Sequence, residues 1–408
     1  MPPTRLLLEA RAQQQPEWAS MDDLKKALRT LASSPALVDA AVCRRLRTEL
    51  AAVARGEAKL LQLGDCAERF ADATPARIHD RAAHLHELAD AWTAATGLPT
   101  IRMGRMAGQY AKPRSQPTET LPDGTVLPVY RGDAVNSPEP TAAARRPDAL
   151  RLLHAYRHAR TTLSILWERD LGLTGAHADP AAAPRPPVDE GPLPTYAAHE
   201  ALLLEFEHAL VRPLPDGGVY GSSAHYLWIG ERTRQLDHEH IRLAARVENP
   251  VGVKIGPGAA PGEVLDLVRT LDPRGEDGRL SLIVRMGSAL VGERLGPVLD
   301  ALGDRARHVV WVCDPMHGNT RVNGAGQKSR AVSDIRAEIA GCHRALAARG
   351  LPLGGLMLEA SDHPVTECVA ERAQLAATEP LPRYESVCDP RLDPDQAREV
   401  IAYAAGLR

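Results

Sequence analysis

A (β/α)8 barrel of the TIM type, preceded by an N-terminal helical extension, is the α/β fold class this sequence predicts. Three observations predict it. Eight short apolar or β-branched runs recur after residue 56: KLLQL, PTIRM, HYLWI, VGVKI, LSLIV, VVWV, GGLML and YESV. Between several of them lie amphipathic stretches such as ARIHDRAAHLHELADAW, GEVLDLVRTL, VSDIRAEIAGCHRALAARG and DPDQAREVIAYAAGL, the alternation of a parallel sheet with helices outside it. Finally, every run delivers an ionisable or metal-binding group at or near its C-terminal end, and those ends share the rim on which barrel enzymes build their sites.

In chain order, residues 1–56 read as the helical extension. Ser20 with Asp23 makes a capping-box-like start, and PALVDAAVCRRLRTELAAVARG keeps helical spacing until Gly56. Residues 57–408 then form the catalytic barrel. Two stretches interrupt it. Residues 108–137 are rich in proline, glycine and polar residues and read as a long substrate-side loop. Residues 173–194, LTGAHADPAAAPRPPVDEGPLP, have the Pro/Ala bias of a flexible insertion.

Composition narrows the function. With 49 Lys and Arg against 52 Asp and Glu the net charge is -3, so no general basic surface awaits a nucleic acid or an anionic membrane. There is no signal-peptide-like start and no apolar run of membrane-spanning length, which points to the cytoplasm. Six cysteines without a CxxC pair exclude a disulfide scaffold and a structural zinc site of that kind.

The groups at the run ends fall into two chemical sets. Cys66, His317, Glu359 and Asp389 offer a thiolate, an imidazole and two carboxylates, a mixed donor set suited to a divalent transition metal. Arg105, Arg232, Lys254 and Arg285 are cations that cannot crowd together without an anion, and arginines bind phosphate or carboxylate in bidentate fashion. Lys112, Arg114 and Ser115 of KPRS, in the long loop, supply enough for a second phosphate. Two anionic substrates meeting beside a metal imply a condensation or transfer.

The motifs GDCAERF, GRMAGQYAKPRS, YRGDAVN, HEALLLEFE, SAHYLWIGERTRQLD, NPVGVKIGP, RMG, CDPMHGNT, VTEC and CDPRL, in this order, resemble class II 3-deoxy-D-arabino-heptulosonate 7-phosphate (DAHP) synthases from residue 55 to the end. The resemblance implies a metal-dependent, aldol-like condensation of phosphoenolpyruvate with erythrose 4-phosphate, the first step of the shikimate pathway towards chorismate and the aromatic amino acids. By motif matching, Cys66, His317, Glu359 and Asp389 take the metal positions, with Mn2+ or Co2+ as the expected ion. Arg105, Glu231, Arg232, Lys254 and Arg285 take the phosphoenolpyruvate site, with Lys254 and Glu231 as the catalytic pair orienting a water. Lys112, Arg114 and Ser115 fall where the sugar phosphate is received. The resemblance further implies a homo-oligomer, expected to be a dimer, and a chorismate mutase as a possible partner. Cys388, beside Asp389, is expected near Cys66.

The chain also departs from the family. Where many members carry a threonine-glycine pair after the metal glutamate, it reads Glu359-Ala360-Ser361-Asp362-His363-Pro364. The N-terminal part and the 173–194 region are shorter than in members with elaborate feedback control, which fits a branch that supplies specialised, antibiotic (phenazine-type) metabolism. ASDHP motivates one alternative, a related condensing enzyme with an altered acceptor such as aminoDAHP synthase. A non-catalytic metal- or partner-binding relative is the other.

Overall fold

The computed structural model describes residues 11–407 apart from residues 122, 171 and 173–194, so the expected flexible insertion lies outside the described residues. Eight parallel strands close into a barrel: β1 (Lys59–Gly64), β2 (Thr100–Arg105), β3 (Tyr196–Glu200), β4 (Tyr226–Ile229), β5 (Val251–Ile255), β6 (Leu280–Val284), β7 (Val310–Cys313) and β8 (Gly355–Glu359). Each pairs with its neighbours in chain order, and β8 closes on β1 with Leu60 opposite Gly355 and Gly64 opposite Glu359.

Seven of the eight runs are barrel strands and one is not. YESV has no strand geometry, because the Glu385 and Ser386 amides donate to the buried Glu367 carboxylate instead of a sheet ladder. The remaining strand is β3, YAAHE, which pairs with β2 through Met103 and Tyr196 and with β4 through Ala198 and Tyr226. Its two alanines and polar end give it little apolar signal; closure of the barrel decides its conformation.

After α1 (Met21–Ser33) and α2 (Ala40–Ala54), each strand is followed by a helix: α3 (Pro75–Thr96), α4 (Arg151–Asp170), α5 (Leu204–Ala209), α6 (Glu239–Arg246), α7 (Pro261–Leu271), α8 (Val291–Leu302), α9 (Val332–Ala347) and α10 (Pro394–Ala405). Ser20 caps α1 by accepting from the Asp23 amide, and Thr74 caps α3 ahead of Pro75. Among the described residues no helix is long and apolar enough to cross a membrane.

Strand side chains alternate between two cores, as a period of two requires. Outward residues such as Leu61, Leu63, Val253, Leu282, Trp311 and Leu358 pack under the helices. Inward residues Leu60, Ile101, Met103, Tyr196, Ala198, Tyr226, Trp228, Ile283, Val310, Val312 and Met357 fill the barrel, and the same cluster takes in Leu46, Leu50 and Val53 of α2. Thus α2 seals the lower mouth of the barrel. Continuing the inward parity one step past this apolar filling reaches Arg105, Glu200, Lys254, Arg285, Asp314 and Glu359, so the parity that builds the core also delivers the polar rim.

Candidate active site

The rim surrounds an open cavity lined by Cys66, Arg105, Lys112, Arg114, Ser115, Glu200, Trp228, Glu231, Arg232, Lys254, Arg285, His317, Thr320, Lys328 and Asp389 among others. All twelve residues singled out in the sequence except Glu359 line it. Glu359 lies just beneath, fully buried, 3.2 Å from the Nε2 of His317.

Local structure explains how each group arrives. At the end of β1, Gly64 must be glycine, since a Cβ there would lie 2.7 Å from the Cβ of Arg105. Arg105 therefore closes over the barrel, its guanidinium 5.4 Å from the Trp228 ring and its Nη1 3.1 Å from Glu359 Oε1. Glu68 of GDCAERF accepts from three consecutive amides, Ala107, Gly108 and Gln109, which holds Ala107 at a φ of 68° and shapes the loop leading to Lys112. Asp133 of RGD receives the Tyr130 hydroxyl and the Phe70 amide, tying the long loop to the start of the barrel.

The donor set divides unevenly. His317, Glu359 and Asp389 offer ligand atoms within 4.8 Å of one another. Asp314 receives His317 Nδ1 at 2.8 Å, which leaves Nε2 free to coordinate, the usual arrangement behind a metal-binding imidazole. This donor chemistry fits a divalent cation. Cys66 stands outside that tight triad: its sulfur accepts from the Asp389 amide at 3.3 Å and lies 3.0 Å from Lys112 Nζ, while the same ammonium contacts Asp389 Oδ2. Cys388 belongs to the same small cluster as Cys66, where the sequence expects it.

Burial sets the electrostatics. It acts against the charged form of Glu359, yet His317, Arg330 and Arg105 outweigh it and hold the carboxyl well below the usual range. For Asp314 the cations are His317 and Lys254. In Lys254 the balance tips the other way: burial depresses its pKa although Asp314 lies 2.8 Å away. Lys254 thus reaches Asp314, and Glu231 is held elsewhere, accepting from Arg234 at 2.9 Å and from the Gly256 amide at 2.6 Å.

Three site residues escape sequence reasoning. Glu200 ends the unrecognised β3; its Oε1 is buried without a hydrogen-bond partner and burial raises its pKa against Lys254, Arg105 and His317. Arg330, fully buried, lies 2.8 Å from Glu359 Oε2, and Lys328 lies 2.8 Å from Asp389 Oδ1. Lys328 lies in the second strand of a short hairpin, Arg321–Val322 with Lys328–Ser329, Arg330 directly follows it, and no apolar run announces them. Conversely, Ala360, Ser361 and Asp362 face a small void between β1, α3 and β8 beside Asp65 and Arg81, and among the described residues the 360–364 segment does not line the main cavity.

Behind the rim, Glu338 accepts from the Gly287 amide and the Asn319 side chain, both at 2.7 Å, joining the loops that carry Arg285 and His317. Burial pushes its pKa up to about 8. Raised in the folded state, this group contributes stability that is full below the ordinary carboxyl pKa and is lost as pH rises through about 8. Urea unfolding of the wild type is therefore expected to show stability falling between pH 5 and 8, with Glu338→Gln flattening that slope. Equal slopes would show that Glu338 does not titrate this way.

Fold and site together define a barrel of the enzyme type whose rim holds a cation-lined cavity beside a metal-capable cluster. The Class-II DAHP synthetase family model matches residues 4–179 and 190–405. A phospho-2-dehydro-3-deoxyheptonate aldolase of Streptomyces coelicolor is 38% identical, covering 97% of this chain and 95% of its own. One from Mycolicibacterium smegmatis is 37% identical, covering 97% of this chain and 92% of its own. The solved structure of a Francisella tularensis phospho-2-dehydro-3-deoxyheptonate aldolase shares the fold with a TM-score of 0.54 at 15% identity, covering 98% of this chain and 99% of that one. The chain belongs to the class-II DAHP synthase family and is an enzyme, a transferase of the 3-deoxy-7-phosphoheptulonate synthase type.

Proposed function

We propose that this cavity condenses phosphoenolpyruvate with erythrose 4-phosphate, releasing DAHP and phosphate, and that the twelve residues above divide the work. The observation that carries the reading is a single cavity lined by Arg105, Lys112, Arg114, Arg232, Lys254 and Arg285 beside one cluster of metal donors. Arg105, Arg232, Lys254 and Arg285 hold the phosphate and carboxylate of phosphoenolpyruvate. Lys112, Arg114 and Ser115 hold the phosphate of the sugar. Cys66, His317, Glu359 and Asp389 would hold a divalent ion, Mn2+ or Co2+, which would supply Lewis acidity to the sugar aldehyde.

The remaining steps belong to the chain. Fixing both anions brings the enol carbon of phosphoenolpyruvate to the aldehyde carbon and removes much of the entropic barrier. Once the carbon–carbon bond forms, the aldehyde oxygen takes up a proton to become a hydroxyl, positive character develops on the carbon bearing the phosphate, a water adds there, and the resulting hemiketal collapses to the ketone as inorganic phosphate leaves. Glu231 and Lys254 orient that water, and Glu200, whose Oε1 has no hydrogen-bond partner, is placed to take its proton.

The test is direct. Protein stripped with chelator and reloaded with Mn2+ or Co2+ should consume phosphoenolpyruvate, followed by its ultraviolet absorbance, and yield a product of DAHP mass. Turnover independent of added metal, or a different acceptor, would overturn the assignment. Because ASDHP turns away from the cavity, erythrose 4-phosphate is favoured over its imino analogue as acceptor. On the family resemblance we extend the reading to a cytoplasmic homodimer serving a specialised pathway, with a chorismate mutase as partner; light scattering of the protein with and without such a mutase tests the assembly.

A further inference from the structure

Asp389 is held by two ammonium groups at once. Lys112 contacts Oδ2 and also has the Cys66 sulfur at 3.0 Å, and it is packed into the wall of the cavity. Lys328 contacts Oδ1 at 2.8 Å, and its side chain is 45% exposed against 12% for Lys112. The backbone beneath Lys328 is anchored: Ser329 Oγ donates to the Glu367 carbonyl, and the Gly324 amide donates to the Leu375 carbonyl. What can move is the four-carbon stem. It stands in the same cavity as Arg114, Ser115 and Thr320, the last of which directly precedes the hairpin.

A carboxylate that ligates a divalent cation no longer neutralises two lysines. The cation and Lys328 therefore compete for Asp389, and the more exposed ammonium is the one released. We propose that Lys328 is a clamp switched by the metal: it neutralises Asp389 in the metal-free enzyme and, once released, becomes a further cation for the phosphate of the acceptor sugar. This rests on the reading of Asp389 as a metal ligand. It makes acceptor binding depend on prior metal binding without any movement of the backbone, and by linkage the bound sugar phosphate tightens the metal in return.

Calorimetric titration of Mn2+ into chelator-stripped protein separates the two readings. Wild type should take up one Mn2+, and Lys328→Met should bind it about three- to fivefold more tightly, the worth of a half-exposed ion pair. With phosphoenolpyruvate saturating, inorganic phosphate should bind the wild type more tightly when Mn2+ is present, and Lys328→Met should lose that dependence. The KM for erythrose 4-phosphate should rise about tenfold while that for phosphoenolpyruvate stays unchanged, with Lys328→Arg restoring it. A merely structural lysine would weaken Mn2+ binding or leave it untouched, and either result overturns the clamp. Wild type that binds no Mn2+, or His317→Ala that binds it as well as wild type, would instead remove the metal centre itself.

Discussion

Glu359→Gln is expected to deprive the protein of its metal and of much of its stability in one step. The carboxylate is fully buried between Arg105 Nη1 at 3.1 Å, Arg330 Nη1 at 2.8 Å and His317 Nε2 at 3.2 Å. Removing that negative charge leaves two buried guanidiniums without their nearest counterion, a situation that costs about 3–5 kcal/mol. Urea denaturation should show that loss, and calorimetry should show no Mn2+ uptake. Unchanged stability would mean that the arginines find other counterions, and retained uptake would exclude Glu359 from the centre.

Asp314→Asn carries the second large effect, because that carboxylate serves two masters. It fixes the His317 ring through Nδ1 at 2.8 Å and it neutralises Lys254 at 2.8 Å. Loss of the first contact frees the imidazole to rotate and change tautomer, which typically weakens a metal site 10–100-fold, by about that factor here. Loss of the second removes the group that raises the Lys254 pKa against burial. The pKa then falls further, so the ammonium is lost at lower pH. The alkaline limb of kcat/KM for phosphoenolpyruvate should shift to lower pH, together with a rise in KM at neutral pH. A shift in metal affinity without any change in the pH profile would show that Lys254 does not hold the phosphoenolpyruvate anion.

How much of this was legible depended on parity. A barrel strand that alternates Val-Gly-Val-Lys-Ile announces both its two-sided burial and the inward group at its end; seven strands stood out as apolar runs, and five of them carry such a group. Strand β3 did not, since Tyr-Ala-Ala-His-Glu has no run of branched residues, and Glu200 went unread with it. YESV, conversely, has strand-like residues whose amides are captured by Glu367. Lys328 and Arg330 were invisible for another reason. They reach the site from a hairpin that packs across the rim, and such tertiary placement leaves no periodic trace in sequence. The contrast between Glu231 and Lys254, adjacent by motif but held by different partners, was likewise decided by side-chain geometry.

The apolar side chains that fill the barrel, with α2 packed beneath them, leave the polar rim as a blind well with one opening. Arg105 and Lys254, 2% and 6% exposed, sit at its depth, whereas Ser115 and Lys328 stand at the lip. Whatever occupies the depth must pass the lip first, and a sugar phosphate already seated there would bar the way. Traffic through such a well forms a queue: phosphoenolpyruvate enters ahead of the acceptor, and the acceptor corks it in. Labelled phosphoenolpyruvate bound first and then chased with unlabelled substrate should be carried into product, while labelled sugar phosphate bound first should wash out. The order of the reaction would then be written in the packed interior beneath the site.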